Sequence, residues 1–497
     1  MQQVDDLTQH RLNKLAKLRQ RGIDPYPPRF HRALTSDRAI ALFTEQESAG
    51  ATAASPEAGE DVTLAGRIVS SRGMGKVSFA HILDGEGKIQ IFLRKDVLGE
   101  ELYEDFKLFD LGDFIGVKGK LFRTRAGEIT LEVHDFRMLS KSLHPLPEKW
   151  HGLVDVEKRY RQRYLDLISN PEVRDIFLTR SKAIASIRRL MENRGFIEVE
   201  TPILHDMAGG AAAKPFITYH NALDQTRFLR VATELHLKRL IIGGFEKVYE
   251  IGRVFRNEGI STKHNPEYTL MESYEAYADY NDVMQMVEEI VSTVAQEVKG
   301  TMIVSFGGQD IDLTPPWRRL TIRDAIIKYG GVDFTAYADV SSLRDKMESM
   351  GMTVDPALGR GKLIDELLSQ FVEPNLIQPT FVLDYPIELS PLAKKKPDDP
   401  TLVERFEPFI GGMEVGNAYT ELNDPIDQRE RFVGQLAQQE SGDEETELVD
   451  EDFLVALEHG MPPTGGLGIG IDRLVMILTG QQSIREVILF PQLRTKE

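Results

Sequence analysis

VYEIGRVFRN (248–257) and EYTLMESYEAY (267–277), joined by the turn-rich GISTKHNP (259–266), read as two strands of a long antiparallel hairpin. Period-2 alternation puts Val248, Glu250, Gly252, Val254, Arg256 and Glu258 on one face of the first strand. By the same rule Tyr268, Leu270, Glu272, Tyr274 and Ala276 share one face of the second. Arg256, Glu258 and Glu272 are thus charges set among apolar neighbours, and burying such a charge unpaired costs on the order of several kcal/mol. Two readings answer that cost: an internal Arg256–Glu272 ion pair, or a site whose ligand supplies the missing partner.

A second acidic run lies at 406–424, with Glu407, Glu414, Asn417, Tyr419 and Glu421 spaced through a strand-like, glycine-interrupted stretch. Asn417, Tyr419 and Glu421 alternate onto one face, whereas Glu414 joins them only if the chain bulges near Gly416. Further on, 462–466 (PPTGG) is expected to be a tight loop, and 471–478 a helix carrying Asp472 and Arg473 in its first turn, where amides and a guanidinium suit an anion. The plainer reading of that region is a glycine loop packed on a sheet beside an exposed Arg473.

Outward from these clusters, 497 residues are enough for more than one core. Short β-type runs at 62–68, 77–83, 89–93, 114–122 and 128–138, punctuated by turn signals, predict a five-stranded OB-type barrel. Leu7, Leu12, Leu15 and Leu18 predict an amphipathic helix ahead of it, and 48–60 reads as a loop. A helix from about Arg174 to Gly195 precedes a strand at 196–200. Without regular βαβ alternation, the larger region is expected to be α+β on antiparallel strands flanked by helices. The expected domains are a helical extension (1–60), the barrel (61–145), a linker (146–175) and the α+β region (176–497).

Composition narrows the chemistry. With no Cys, disulfides, thiolate nucleophiles and Cys-type zinc sites are excluded. Neither a membrane-length apolar run nor a secretory leader is visible, so a cytoplasmic chain with no membrane partner is expected. The formal net charge of -18 argues by itself against nucleic acid, although 11–21 and 158–163 are basic enough either to track phosphates or simply to be solvated. No P-loop is present, because the Gly361-Lys362 pair lacks its flanking residues; GLGIG (466–470) lacks the βαβ frame of a dinucleotide fold.

Three segments in order carry a resemblance: FIEVETP (196–202), FRNE (255–258) with HNPEY (264–268), and GIGIDRL (468–474). They resemble the three motifs of the lysine-specific class II aminoacyl-tRNA synthetases, and the match spans nearly the whole chain. The resemblance implies ATP-dependent formation of lysyl-adenylate, transfer of lysine to tRNA(Lys), and a homodimer built on the first motif. It implies that Arg256 holds the α-phosphate and the amino-acid carboxylate, that Arg473 lies by the γ-phosphate, and that Glu258, His264, Asn265 and Tyr268 serve ATP. Glu407 and Glu414 would hold Mg2+. Gly210 and Glu234 would receive the α-ammonium of lysine, with Glu272, Tyr274, Asn417, Tyr419 and Glu421 around its side chain. Phe79 and Gln90, with Arg67 nearby, resemble the anticodon-reading positions; without the resemblance Phe79 reads as a core residue of the barrel. The sequence departs from the family pattern at 205–208, which lacks a proline, and at Lys214, where arginine is usual. A paralogue passing lysine to another acceptor, which would usually lack the barrel, and an RNA-binding protein with a decayed site are the competing readings.

Overall fold

The computed structural model describes residues 6–49, 61–147, 153–207, 209–211, 213–440 and 449–495. The chain forms two compact units, Met1–Val154 and Asp155–Glu497. Most of the expected 48–60 loop lies outside the described residues.

In the first unit, α1 (Asp6–Gln20) and α2 (Ser36–Ser48) accompany a closed barrel of β1 (Asp61–Met74), β2 (Val77–Leu83), β3 (Lys88–Arg94), β4 (Phe114–Arg123) and β5 (Ile129–Ser140), ordered β1-β2-β3-β5-β4. Strict alternation explains the closure. In β2, Ser78, Ala80 and Ile82 point inward, while Val77, Phe79, His81 and Leu83 stay partly exposed. Leu18, Ala39 and Phe43 join the barrel core, so the helices share its hydrophobic cluster. Three basic residues of the 11–21 stretch are used structurally: Arg11 donates to the carbonyls of Leu111 and Ser142, Lys14 pairs with Asp110, and Arg21 pairs with Asp105.

The second unit is built on a nine-stranded, mostly antiparallel sheet. Its elements are α3 (Pro171–Asn193), β6 (Ile197–Glu198), α4 (Glu234–Ile242), β7 (Lys247–Phe255), β8 (Glu267–Ala276) and α5 (Tyr280–Lys299), then β9 (Arg318–Thr321), β10 (Thr380–Leu383), β11 (Arg405–Ile410), β12 (Met413–Glu414), β13 (Gly416–Thr420), β14 (Thr464–Gly470) and α6 (Ile471–Thr479). The strand order is β9-β10-β11-β13-β14-β8-β7-β6, with β12 beside β11. The hairpin β7–β8 pairs Glu250 with Glu272 and Val254 with Tyr268, so the two faces assigned from alternation are one continuous face.

The opposite face is the core. Tyr249, Met271, Phe406, Ala418, Leu467 and Ile469 pack there against Ile187 of α3, Val287 and Val291 of α5, and Leu474 and Val475 of α6. Helix α5 is closed at both ends, by an Asp279–Asp282 capping box and by Gly300 in the left-handed region. The 320–376 stretch forms a separate core around Ile326, Phe334, Leu343, Leu363 and Leu367.

Two expectations are corrected. The 462–466 stretch is not wholly a loop, because Thr464–Gly470 is a central strand paired with β13 on one side and β8 on the other. The basic stretch at 158–163 does not track phosphate: Arg159 pairs with Asp166 and Glu486, Arg161 with Glu157, and buried Arg163 with Asp166 and the carbonyls of Arg485, Ile488 and Leu489. Within the stretch expected as a linker, 156–169 is helical and belongs to the second unit.

Candidate functional site

Three adjacent strands set out the site. Register places Asn417, Gly468 and Glu272 side by side across β13, β14 and β8, and Tyr419, Gly466 and Tyr274 in the next row. A glycine in the middle of each row leaves a trough between larger side chains. At 466 the need is absolute: a Cβ there would lie 1.8 Å from Glu421 Oε1 and 2.8 Å from Tyr274 Cε1.

The trough opens into a cavity of about 970 Å³ lined by Gly210, Glu234, Arg256, Glu258, His264, Asn265, Tyr268, Glu272, Tyr274, Glu407, Glu414, Asn417, Tyr419, Glu421 and Arg473. Every residue singled out from the sequence within the second unit therefore reaches one space. Glu414 arrives by the bulge its position requires, since the pairing slips by one residue between Phe406↔Ala418 and Phe409↔Glu414.

At one end of the cavity stand cations. Arg256 holds its guanidinium over the Tyr268 ring, 5.5 Å from the centroid, and its buried Nε has no hydrogen-bond partner among the described residues. Burial acts to lower the Arg256 pKa, but Tyr268, Glu258, Glu414 and Glu272 outweigh it and keep the cation firmly charged. No Arg256–Glu272 ion pair forms; of the two readings of the hairpin, the internal pair fails. Arg473 donates to the Glu414 carbonyl at 2.7 Å and to its carboxylate at 3.1 Å, and Nη2 lies 3.3 Å from His264 Nε2. Burial and the Arg473 charge push His264 down, favouring the neutral imidazole. Arg473 is aimed by its neighbour: buried Asp472 binds the Thr269 amide at 2.6 Å and ion-pairs with Arg180, tying α6 to β8. Asn265 is held by backbone, donating to the Glu267 carbonyl at 2.6 Å.

At the other end stand carboxylates. Glu272 is buried and accepts from the Thr233 hydroxyl at 2.6 Å and amide at 3.0 Å, with no cation in contact among the described residues. Burial drives its pKa up to about 7, the Thr233 hydroxyl opposes this, and Glu234 adds repulsion. Glu234 accepts from the Tyr419 hydroxyl at 2.7 Å. Glu234 and Glu421 both contact Lys238, a lysine with no exposed surface. An internal cation thus sits between Glu421 and Glu234, the two carboxylates expected to face the ammonium groups of lysine. Asn417 Oδ1 accepts from Arg405 Nε at 2.9 Å, and Arg405 also binds Glu407 at 2.6 Å. Tyr385 donates to the other Glu407 oxygen at 2.6 Å. Burial raises Glu407 to about 7; Arg405 opposes this and Glu414 reinforces it.

Several wall residues carried no sequence signal. Arg360, Lys362, Asp365 and Glu373 come from the 320–376 segment. Lys238 had one, its spacing of four from Glu234 on the same helix face.

On the barrel, Phe79 lies on the outer face, stacked on Phe92 with centroids 4.4 Å apart and planes at 22°. Phe122 continues the group 6.0 Å from Phe92. The core-residue reading of Phe79 therefore fails. Gln90 shares that face, donating to Glu128 at 2.8 Å and accepting from Thr130 at 2.9 Å. Arg67 is apart from Phe79: it aligns with Leu83, donates to the Gly112 carbonyl at 3.0 Å and covers the Phe114 ring at 4.3 Å.

Comparison with known proteins agrees with this geometry. Residues 155–494 match the model of class II tRNA synthetases (D, K and N), and 62–139 match the OB-fold nucleic acid binding domain. A lysine–tRNA ligase of Moorella thermoacetica is 55% identical over 493 residues, 99% of each chain. One from Dehalococcoides mccartyi strain 195 is 56% identical over 492 residues (99% of this chain, 98% of that one), and one from Bacillus subtilis 53% over 498 (100% and 98%). An acidic trough beside paired arginines, a barrel with an aromatic outer face, and full-length identity above half converge: the chain belongs to the class II tRNA synthetases, within the lysine–tRNA ligase family.

Proposed function

We propose that the chain activates L-lysine with ATP and transfers it to the 3′ end of tRNA(Lys), releasing pyrophosphate and then AMP. The carrying observation is the polarity of the trough: guanidiniums at the Tyr268 end, and buried carboxylates from Glu272, two rows along, onward. Strand rise is about 3.4 Å per residue, so the four residues from Tyr268 to Glu272 span roughly 14 Å, room for a carboxylate at Arg256 and an ammonium at Glu272.

In the first step a lysine carboxylate oxygen forms a bond to the α-phosphorus, and the bond from that phosphorus to the pyrophosphate oxygen breaks. Arg256 neutralises both the attacking carboxylate and the α-phosphate, and Arg473 receives charge on the departing side. Tyr268 offers a π-face to adenine, while Glu258, neutral His264 and backbone-held Asn265 shape the nucleotide end. In the second step the terminal tRNA hydroxyl attacks the lysyl carbonyl and AMP leaves. Glu407 and Glu414 suit Mg2+, because their mutual repulsion is relieved by a hard cation and oxygen is its preferred donor. When bound, the ion neutralises phosphate charge.

Gly210, at φ +87°, lies against Glu234 and leaves the entrance narrow but open for the α-ammonium. Tyr274, Asn417, Tyr419, Glu272 and Glu421 enclose the side chain. The Phe79–Phe92 stack, with Gln90, fits an unstacked anticodon base; Arg67 is engaged elsewhere, by the Gly112 carbonyl and the Phe114 ring. Exposed Ile197 at the sheet edge, with Ile203 and Leu204, supports a homodimer through the first motif. No helix among the described residues is long and apolar enough to cross a membrane, and a cytoplasmic location accords with the tRNA substrate.

Lysine-dependent exchange between ATP and pyrophosphate, measured without tRNA and followed by charging of a tRNA with a uridine-centred anticodon, tests the reading. Both activities are expected. Exchange without charging would point to a different acceptor for lysine, and loss of both to a binding module.

A further inference from the structure

Lys238, behind the acidic end of the cavity, is a cation that a site for lysine does not call for. It has no exposed surface, its ammonium contacts Glu234 one turn away and Glu421 from across the sheet, and the rings of Tyr419 and Phe453 lie 5.7 and 5.9 Å from it. Those two carboxylates with Glu272 make three negative charges in one desolvated volume. Among the described residues Glu272 has no cation in contact, and Glu421 Oε1 has no hydrogen-bond donor.

Charge counting gives Lys238 a purpose. A substrate lysine brings two ammonium groups to this end of the cavity and one carboxylate to Arg256. Three carboxylates would exceed what two ammoniums can neutralise, and in a low-dielectric site the surplus is costly. With Lys238 fixed among them the net value is minus two, which the two ammonium groups cancel. The contact also holds Glu234 and Glu421, which would otherwise repel, at one separation.

Resting on the reading of the cavity as a lysine site, we propose that Lys238 is a positioning and specificity-setting residue: an internal counter-ion that clamps Glu234 and Glu421 and trims the pocket to the charge of one lysine. It does not touch the reacting atoms. Its influence passes through the two carboxylates.

The claim predicts rescue by a second substitution. Glu421→Gln alone leaves the Lys238 charge in excess beside the incoming ammonium, and the KM for lysine should rise about 100-fold while the KM for ATP changes less than about threefold. Adding Lys238→Met removes the surplus cation and restores a net minus two from Glu234 and Glu272. The double variant should therefore recover at least about tenfold in lysine KM over Glu421→Gln, with kcat little changed. A merely structural lysine would give the reverse, since a second buried substitution adds damage.

A double variant no better than Glu421→Gln in lysine KM would overturn the proposal. Should Glu421→Gln fail to fold, the double variant is compared directly with the wild-type enzyme by thermal melting and exchange. Folding with lysine kcat/KM within about tenfold of wild type supports the pair as mutually cancelling; a larger loss, or failure to fold, overturns it. Failure of the functional reading is recognised separately, because the wild-type enzyme would then give no lysine-dependent exchange at all.

Discussion

The trough of the larger unit and the outer face of the barrel both present binding groups, but by opposite means. In the trough, charge is taken out of water and held: Glu272 is buried, accepts from Thr233, and is pushed up to about 7 by burial. On the barrel, the Phe79–Phe92–Phe122 group lies on the partly exposed side of an ordinary core, and neighbouring polar groups are already engaged, Gln90 with Glu128 and Arg94 with Glu132. A small cation is selected by stored electrostatic imbalance, which only burial can magnify. A flexible single strand is selected by ring faces, which need not be hidden at all.

The contrast can be broken from the larger side first. Arg256→Ala should reduce exchange by about 10³-fold with tRNA absent, because it removes the group serving both carboxylate and α-phosphate; steady-state exchange measures it, and a loss under tenfold would displace Arg256 from the reaction. Glu272→Gln should lower kcat/KM for lysine by about 10²-fold and leave the ATP KM nearly unaltered. Equal losses for both substrates would make Glu272 a fold residue.

The stored imbalance also has a pH signature. Glu272 titrates near 7 in the lysine-free site, above its ordinary value, so it gains a proton as pH falls through 7. A protonated Glu272 cannot balance an ammonium. The KM for lysine should therefore climb by up to about tenfold for each pH unit below 7, and the Glu272→Gln enzyme should show a flatter profile. A slope unchanged by that substitution would assign the titration to another group. Smallest is the barrel effect: Phe79→Ala should depress tRNA charging by about five- to tenfold while exchange without tRNA is spared. Loss of exchange as well would mean that the ring supports folding.

How far the sequence discloses this follows from the same contrast. Alternation alone places Glu272, Tyr274, Asn417 and Tyr419 on pocket-facing positions, because strand periodicity is a local property. It also foresees that Glu414 needs a bulge. Partners across the sheet are not local: nothing in 248–277 tells that Glu250 will take Arg230, or that Glu272 will find Thr233 instead of Arg256. Lys238 could be seen beside Glu234 but not opposite Glu421, 183 positions on, since that meeting depends on the register of β13 with β14. The glycines at 464–470 mislead for a related reason. They read as a loop by propensity, yet form a strand, and at Gly465 and Gly466 neighbouring side chains leave no room for a Cβ. The wall supplied by 320–376 is legible only once that segment's own core has folded.

Exchange with norleucine, which matches lysine in length but lacks the ε-ammonium, reaches the central claim most directly. The buried carboxylates would be left unbalanced by it, so kcat/KM for norleucine should fall at least about 10³-fold below that for lysine, and Glu272→Gln should narrow the gap. Comparable exchange with the two amino acids, or a gap untouched by Glu272→Gln, would contradict the account.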